Sequence, residues 1–313
     1  MPVVVQGERW FPEETNFAAE MPDLWGDWGS SSEVDPLQAV LLHRPGAELS
    51  GVNESNYKQF RFRAPVDLGK AQAQHDALAA VYRSHGAQVY YVENQRHDRP
   101  NAVFMRDLMF MTPQGAILSR PGIAARRGEE RAVAATLASL GVPIAKTVNG
   151  TGYFEGACGL WVNPDTVVLG SSSRANAEGI RQVKAELEAQ GVANVLTLEI
   201  PYGSIHLDGY MNMVDHNKML AFPWHLSYDI ARRLMDMGVE LIEAVDIYEV
   251  KEQLAVNVVA VAPGKVVMAA GCPNTKALLE KHHVEVIEVD LSELLKAWGS
   301  VHCMTAFLKR APQ

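Results

Sequence analysis

The chain has 313 residues, 48% of them hydrophobic and 21% charged, the balance of a soluble globular protein long enough to bury a large core. A formal net charge of −9 argues against an obligate nucleic-acid or anionic-membrane partner and suits a ligand that arrives as a cation. Three cysteines without a CxxC pair do not form a disulfide framework, so a reducing compartment is expected.

Residues 1–17 scatter Glu and Arg without a signal pattern, and no apolar run approaches the ~20 residues that span a bilayer. A cytoplasmic protein is therefore expected. Residues 1–36 read as an N-terminal extension to a single domain. Its Trp10, Trp25 and Trp28 lie in a Gly/Ser/acidic stretch suited to covering the domain or meeting a partner.

From residue 37 onward one unit recurs: an apolar strand, a polar turn, an amphipathic helix, then a Gly-Val-type stop and another strand. The first copy predicts a strand over 39–42, a helix over 68–84 closed by Gly86, and a strand over 88–92. The second places a strand at 116–118, a helix near 129–140 and Gly141-Val142. The third has 166–169, a helix near 177–190 and Gly191-Val192, and the fourth 218–221, a helix near 226–237 and Gly238-Val239. The fifth has 265–269, a short helix reaching His282, and His283-Val284 leading into an alternating strand.

Glycine closes each of the first four helices because it takes the left-handed conformation without steric cost. The last four copies recur at roughly 50-residue steps, the mark of an array of modules. Residues 50–65 lengthen the first step and read as an inserted surface loop.

A doubly wound parallel sheet would also alternate strands and helices. Against it, strands come in close pairs, such as 160–162 with 166–169 joined by Asn163-Pro164-Asp165, which make small mixed sheets. The expected architecture is one α/β domain of five modules around a pseudo-fivefold axis, with ligand at the central channel.

Chemistry-bearing residues fall at the ends of the strand runs: Asp107, Glu155, His206, Asp208 and Cys303. In an extended segment His206 and Asp208 point to one side. Taken singly each signal is weak, since a Cys before a small apolar strand is more often a core residue.

Taken in order, the segments resemble the guanidine-modifying superfamily of arginine deiminases, dimethylarginine dimethylaminohydrolases and amidinotransferases. Pro100-Asn101-Ala-Val-Phe104-Met-Arg106-Asp107 resembles the P-N-x-x-F-x-R-D of arginine deiminases. The stretch Leu118-Ser-Arg-Pro-Gly-Ile-Ala-Ala-Arg-Arg127-Gly-Glu129 is closer to the dimethylarginine enzymes. Phe154-Glu155-Gly156, Gly170-Ser-Ser-Ser-Arg174-Ala-Asn176, His206-Leu207-Asp208 and His302-Cys303-Met304-Thr305 complete the match.

The resemblance implies the five-bladed α/β propeller called the pentein and a hydrolase cleaving a guanidinium C–N bond of L-arginine or a methylated arginine. It implies Cys303 as nucleophile, His206 as acid and base, and Glu155 as orienter of His206. Asp107 and Asp208 would hold the guanidinium. Arg174 and Arg127, with Asn101, would hold an α-carboxylate.

Amidino transfer to an amine, or double hydrolysis to ornithine, shares the covalent step. Where many members have Glu-Gly-Gly-Asp, this chain has Glu155-Gly156-Ala157-Cys158.

No cofactor is expected. Ten histidines show neither H-E-x-x-H nor paired Cys/His spacing, so no metal is expected either. The partner expected is a small guanidine, with no nucleic acid and no membrane, and the sequence leaves room for a homo-oligomer. Cys158 and Cys272 read as structural, although Cys272 before a helix could carry a lowered pKa. Met105, Met109, Met111, Met211 and Met213 read as core.

Overall fold

A computed structural model describes residue 12 and residues 14–311; Trp10 lies outside the described residues. A short helix α1 (Phe17–Leu24) precedes the repeating part of the chain. Blade one contains β1 (Leu37–Leu42), α2 (Leu68–Ser84) and β2 (Gln88–Tyr91). Blade two is β3 (Met109–Thr112), β4 (Gly115–Leu118), α3 (Glu129–Leu140) and β5 (Ile144–Thr147). Blade three is β6 (Gly159–Asn163), β7 (Thr166–Ser171), α4 (Ala177–Ala189) and β8 (Asn194–Glu199).

Blade four is β9 (Met211–Asp215), β10 (Lys218–Ala221), α5 (Tyr228–Asp236) and β11 (Glu240–Glu243). After the connecting helix α6 (Ile247–Glu252), blade five has β12 (Val259–Ala262), β13 (Lys265–Ala269), α7 (Pro273–Lys281) and β14 (Glu285–Val289). The last strand, β15 (Ala306–Arg310), returns to pair antiparallel with β1 and completes the first sheet. Five three-stranded sheets result, the α/β propeller anticipated from the repeat.

Every sheet has one antiparallel and one parallel edge: β6 pairs antiparallel with β7, and β7 parallel with β8 across α4. A helix is needed there because parallel strands require a long crossover. Several helices begin where side chains of Asp67, Asn176, Ser227 and Asp246 accept from backbone N–H groups of the first turn. Gly86, Gly141, Gly191 and Gly238 close their helices with φ of 74–92°, and in blade five His283 takes that place at φ 61°.

The middle strands β4, β7 and β13 are buried almost throughout, whereas β5, β8 and β14 alternate exposed and half-buried residues. The apolar core therefore follows the inner strands and surrounds the axis. The methionines singled out in the sequence all pack in it. Residues 32–35 of the N-terminal extension are buried, and Glu33 reaches the side chains of Arg106 and His302. No helix among the described residues is long and apolar enough to cross a membrane.

Candidate active site

The residues with chemistry sit in the segments that lead into the first strand of each blade. Asp107 lies in the single 3-10 turn Met105–Leu108 before β3, Glu155 caps the turn Gly156–Cys158 before β6, and His206 caps Leu207–Gly209 before β9. Asn257 precedes β12, and Cys303 precedes β15. Five equivalent segments thus bring five different side chains to one centre.

His206 and Asp208 do not share the face of an extended strand, as the sequence had suggested. The chain is extended only at His206 and turns at Leu207–Gly209. The turn frees the backbone oxygen of Asp208 to accept from the amides of Asn212 and Asn257.

Cys303 is buried, with the Nδ2 of Asn257 3.1 Å and the Oδ2 of Asp208 3.5 Å from its Sγ. Burial raises its thiol pKa well above the ordinary value, and the charges of Asp208 and Asp107 push the same way. The unliganded cysteine is therefore a thiol, and it needs a cation beside it to ionise. Cys272, allowed by sequence to be a low-pKa thiol, is instead driven to about 12 by burial and by Glu249, Glu288 and Asp246. Burial likewise raises Cys158.

His206 Nε2 donates to Glu155 Oε2 at 2.7 Å, and its Nδ1 lies 3.5 Å from Asp107 Oδ1. Burial works to lower the histidine pKa, but the carboxylates of Asp107, Glu155 and Asp208 outweigh it and raise the pKa. Glu155 is held at about 2: burial opposes ionisation, while the His206 hydrogen bond and the charges of His206, Arg126 and Arg174 more than compensate.

Glu155 also accepts from the backbone of Gly122. Its neighbour must be glycine, because a Cβ on Gly156 would lie 2.1 Å from the Met109 carbonyl oxygen. Asp107 goes the other way, raised by burial and by Glu155 and Asp208 against the pull of His206 and Arg126. Its Oδ2 pairs with Arg126, but Oδ1 is buried without a hydrogen-bond partner.

Two connected spaces open from this centre. An inner cavity of about 50 Å³ is bordered by Asp107, Arg126, His206 and Cys303. An outer one of about 670 Å³ shares Arg61, His206, Trp298 and Cys303 with it and adds Lys58, Asp208 and Asn257. Asn101 borders the inner cavity and donates its amide to the Phe60 carbonyl. Arg174 borders both, with Nη1 3.2 Å from Glu155.

Arg127 is not brought to the site. It is exposed and donates to the carbonyl of Pro121, whereas its neighbour Arg126 turns inward to Asp107 and Glu129. The two lie in the turn before α3, where successive side chains point apart, Arg126 to the cavity and Arg127 to solvent.

The sequence reading also missed Asn257, although it follows Glu155 and His206 at the same roughly 50-residue step. It missed Glu33, whose carboxylate lies 2.8 Å from Arg106 Nη2 and 3.2 Å from His302 Nε2. His302 in turn places Nδ1 3.0 Å from Asp208. No local signal marks Glu33.

Asp107, Glu155 and His206 offer ligand atoms within 4.8 Å of one another. A divalent ion among them would meet the guanidinium of Arg126, paired to Asp107 and 3.9 Å from Glu155, and that of Arg174. Like charges at that range disfavour it.

A five-bladed ring with a cysteine and acidic side chains gathered at its centre belongs to the guanidine-modifying enzymes of the pentein fold, and comparison with known proteins places the chain among them. The family described as "N,N dimethylarginine dimethylhydrolase, eukaryotic" matches residues 50–310. The dimethylarginine dimethylaminohydrolase of Pseudomonas aeruginosa is 30% identical over 240 residues, covering 76% of this chain and 89% of that protein. Its structure in complex with citrulline superposes with a TM-score of 0.71 at 25% identity, over 87% of this chain and 99% of the other. The arginine deiminase of Lactococcus lactis subsp. cremoris is 24% identical, over 90% of this chain and 98% of that protein.

The chain belongs to the dimethylarginine dimethylaminohydrolase family, and it is accordingly a hydrolase of C–N bonds in linear amidines.

Proposed function

We propose that this enzyme hydrolyses the guanidinium C–N bond of L-arginine or a methylated arginine through a thiouronium intermediate on Cys303. The observation that carries this reading is the buried Oδ1 of Asp107, which makes no hydrogen bond, lies 3.5 Å from His206 Nδ1 and borders the same cavity as Cys303. A buried carboxylate oxygen without a donor is costly, and a guanidinium supplies the missing N–H together with a positive charge. That charge also lowers the thiol pKa, so substrate binding prepares its own nucleophile.

As the guanidinium binds, Cys303 gives up its thiol proton to solvent, and the thiolate attacks the guanidinium carbon to give a neutral tetrahedral adduct. His206, whose charged form its carboxylates favour, passes a proton to the departing nitrogen as the C–N bond breaks. The imidazole then takes a proton from water as the hydroxide adds to the thiouronium carbon, and the adduct collapses with departure of the thiolate and loss of its hydroxyl proton to solvent, releasing the urea product. Glu155 orients the imidazole and stabilises its charged form. Asp208 holds the guanidinium with Asp107, and Arg174 with Asn101 takes part at the carboxylate end. Arg127 has no part in this scheme.

Mass-spectrometric analysis after incubation with L-arginine and with Nω,Nω-dimethyl-L-arginine tests the reading. Citrulline with ammonia, or citrulline with dimethylamine, is expected. Ornithine, or a product that forms only when an acceptor amine is added, would overturn single hydrolysis.

A further inference from the structure

The residues just before His206 form one wall of the outer cavity, where Gly203, Ser204 and Ile205 border it. The two ends of this segment are held differently. At the inner end the Ile205 carbonyl accepts from the Ser172 hydroxyl at 2.7 Å, and Glu155 fixes His206. At the outer end the chain turns through Gly203, at φ 90°, with the Ser204 N–H on the Pro201 carbonyl and the Tyr202 side chain in solvent. Among the described residues, the one hydrogen bond joining 201–204 to another element lies between Ser204 Oγ and His225 Nδ1, at 2.9 Å.

His225 ends the 3-10 turn Pro223–His225 after β10 and meets a second group there. The Lys251 ammonium, from α6, stands 3.0 Å from Nε2 and 3.3 Å from Nδ1 of its ring. Lys251 has no carboxylate partner among the described residues, and its other neighbour is the Phe222 ring, 5.3 Å away. An ammonium can only donate, so the ring nitrogen that receives it carries no hydrogen, and the other presents its N–H to Ser204. Only the uncharged imidazole meets both demands. The helix α6 is braced from its far side, where the Arg63 guanidinium bonds the carbonyls of Lys251 and Glu252 and lies 3.5 Å from the centre of the Trp298 ring.

We propose that His225 is a positioning residue of this enzyme, whose uncharged ring clasps the cavity wall that leads to His206 and ties it to α6. The inference rests on the reading above, in which substrate fills the cavity beside Cys303. Because His206 has its own anchors, the clasp governs binding rather than the chemical steps. It gives way when the ring takes a proton, since an imidazolium offers Lys251 no lone pair and sets two cations against each other.

Facing the ring are Lys251 from α6, Ser204 from the loop, and the rings of Phe222 and Tyr210 at 4.9 and 5.8 Å. Burial raises the Tyr210 pKa and keeps that phenol neutral. Partial burial, and then the Lys251 charge, lowers the His225 pKa, so the clasp is closed at neutral pH and opens below the ordinary 6.5.

Two measurements on the full chain test this. Hydrogen–deuterium exchange without substrate reads the clasp itself. At about pH 7 the amides of 202–205 should exchange faster in His225→Ala than in the unsubstituted enzyme. His225→Gln, whose amide donates and accepts without titrating, should bring exchange back toward the original rate. Steady-state kinetics with L-arginine and Nω,Nω-dimethyl-L-arginine reads the effect on binding. His225→Ala should raise KM roughly 3- to 10-fold for the substrate turned over, with kcat within about 2-fold of its original value. Taking the pH from about 7 to about 5 should raise KM by a larger factor in the unsubstituted enzyme than in His225→Gln. Groups common to both proteins, Asp107 among them, cancel in that comparison.

Unchanged exchange in His225→Ala overturns the clasp. So does an unchanged KM, a loss confined to kcat, or a pH response of KM that is the same in His225→Gln as in the unsubstituted enzyme. Failure of the proposed reaction is read separately, as absence of citrulline from the unsubstituted enzyme, and the exchange measurement then decides the clasp by itself.

Discussion

Burial, with the nearby carboxylates of Asp208 and Asp107, sets the reactivity of Cys303. A carboxylate 3.5 Å from a buried sulfur disfavours the thiolate, so the same group that would help hold a guanidinium suppresses the nucleophile in its absence. Asp208→Asn should lower the thiol pKa and speed alkylation by neutral iodoacetamide at pH 7, while guanidine turnover falls by at least about 100-fold. Unchanged or slower alkylation would show that the carboxylate does not set the thiol pKa. Cys303→Ser should lower kcat by roughly 10⁴-fold with the fold and substrate binding retained, as judged by circular dichroism and calorimetry. For the unsubstituted enzyme, kcat/KM should rise with pH on the alkaline side, because it reports the free thiol.

At the scale of the element, the short turns before each blade's first strand matter more than the strands. Glu155 stands at the head of such a turn, and the next residue packs against backbone with no space for a side chain. Gly156→Ala would place a Cβ 2.1 Å from the Met109 oxygen and 2.4 Å from the Arg106 oxygen. The turn must shift and carry Glu155 away from His206. A loss of about 1–3 kcal/mol in urea unfolding is expected, together with a fall in kcat. Wild-type activity in a stable Gly156→Ala protein would show that the turn tolerates the displacement.

The loop over 50–65, an insertion by sequence, is drawn into the site by Arg63 and Asn101. Its anchors lie far along the chain, so its functional side was not visible from its own composition.

For the whole molecule, closure of the ring joins the first and last strands. β15 completes the first sheet, and the segment before β1 carries Glu33 among Arg106, His302 and Arg310. Burial opposes ionisation of Glu33, but Arg106 and the His302 hydrogen bond hold its pKa at about 2, below the usual 4.5. A carboxylate with a depressed folded pKa adds stability above its unfolded value, and that stability is lost as pH falls. The window here runs from about 4.5 down to about 2, and the contribution is roughly 3 kcal/mol.

Glu33→Gln should lower Tm at neutral pH, since it leaves the buried Arg106 guanidinium without its partner charge. The stability gap to the unsubstituted protein should close as pH is taken from 4.5 to 2. A gap independent of pH would mean that Glu33 acts by packing rather than by charge.

What the sequence alone determined is whatever depends on short-range pattern. The helices at Leu68–Ser84 and Glu129–Leu140, the paired strands and the glycine stops follow from periodicity and backbone conformation, and their five-fold recurrence led to the ring. The order of motifs led to Cys303, His206, Glu155, Asp107 and Asp208, because each sits in a recognisable local segment. Only the tertiary structure decided between Arg126 and Arg127, where the rotation of one residue along a turn separates cavity from solvent. Only it brought Asn257 onto the cysteine and Glu33 onto Arg106. Those relations join residues far apart in the chain, and their energies come from burial and charge that exist only once the ring has closed.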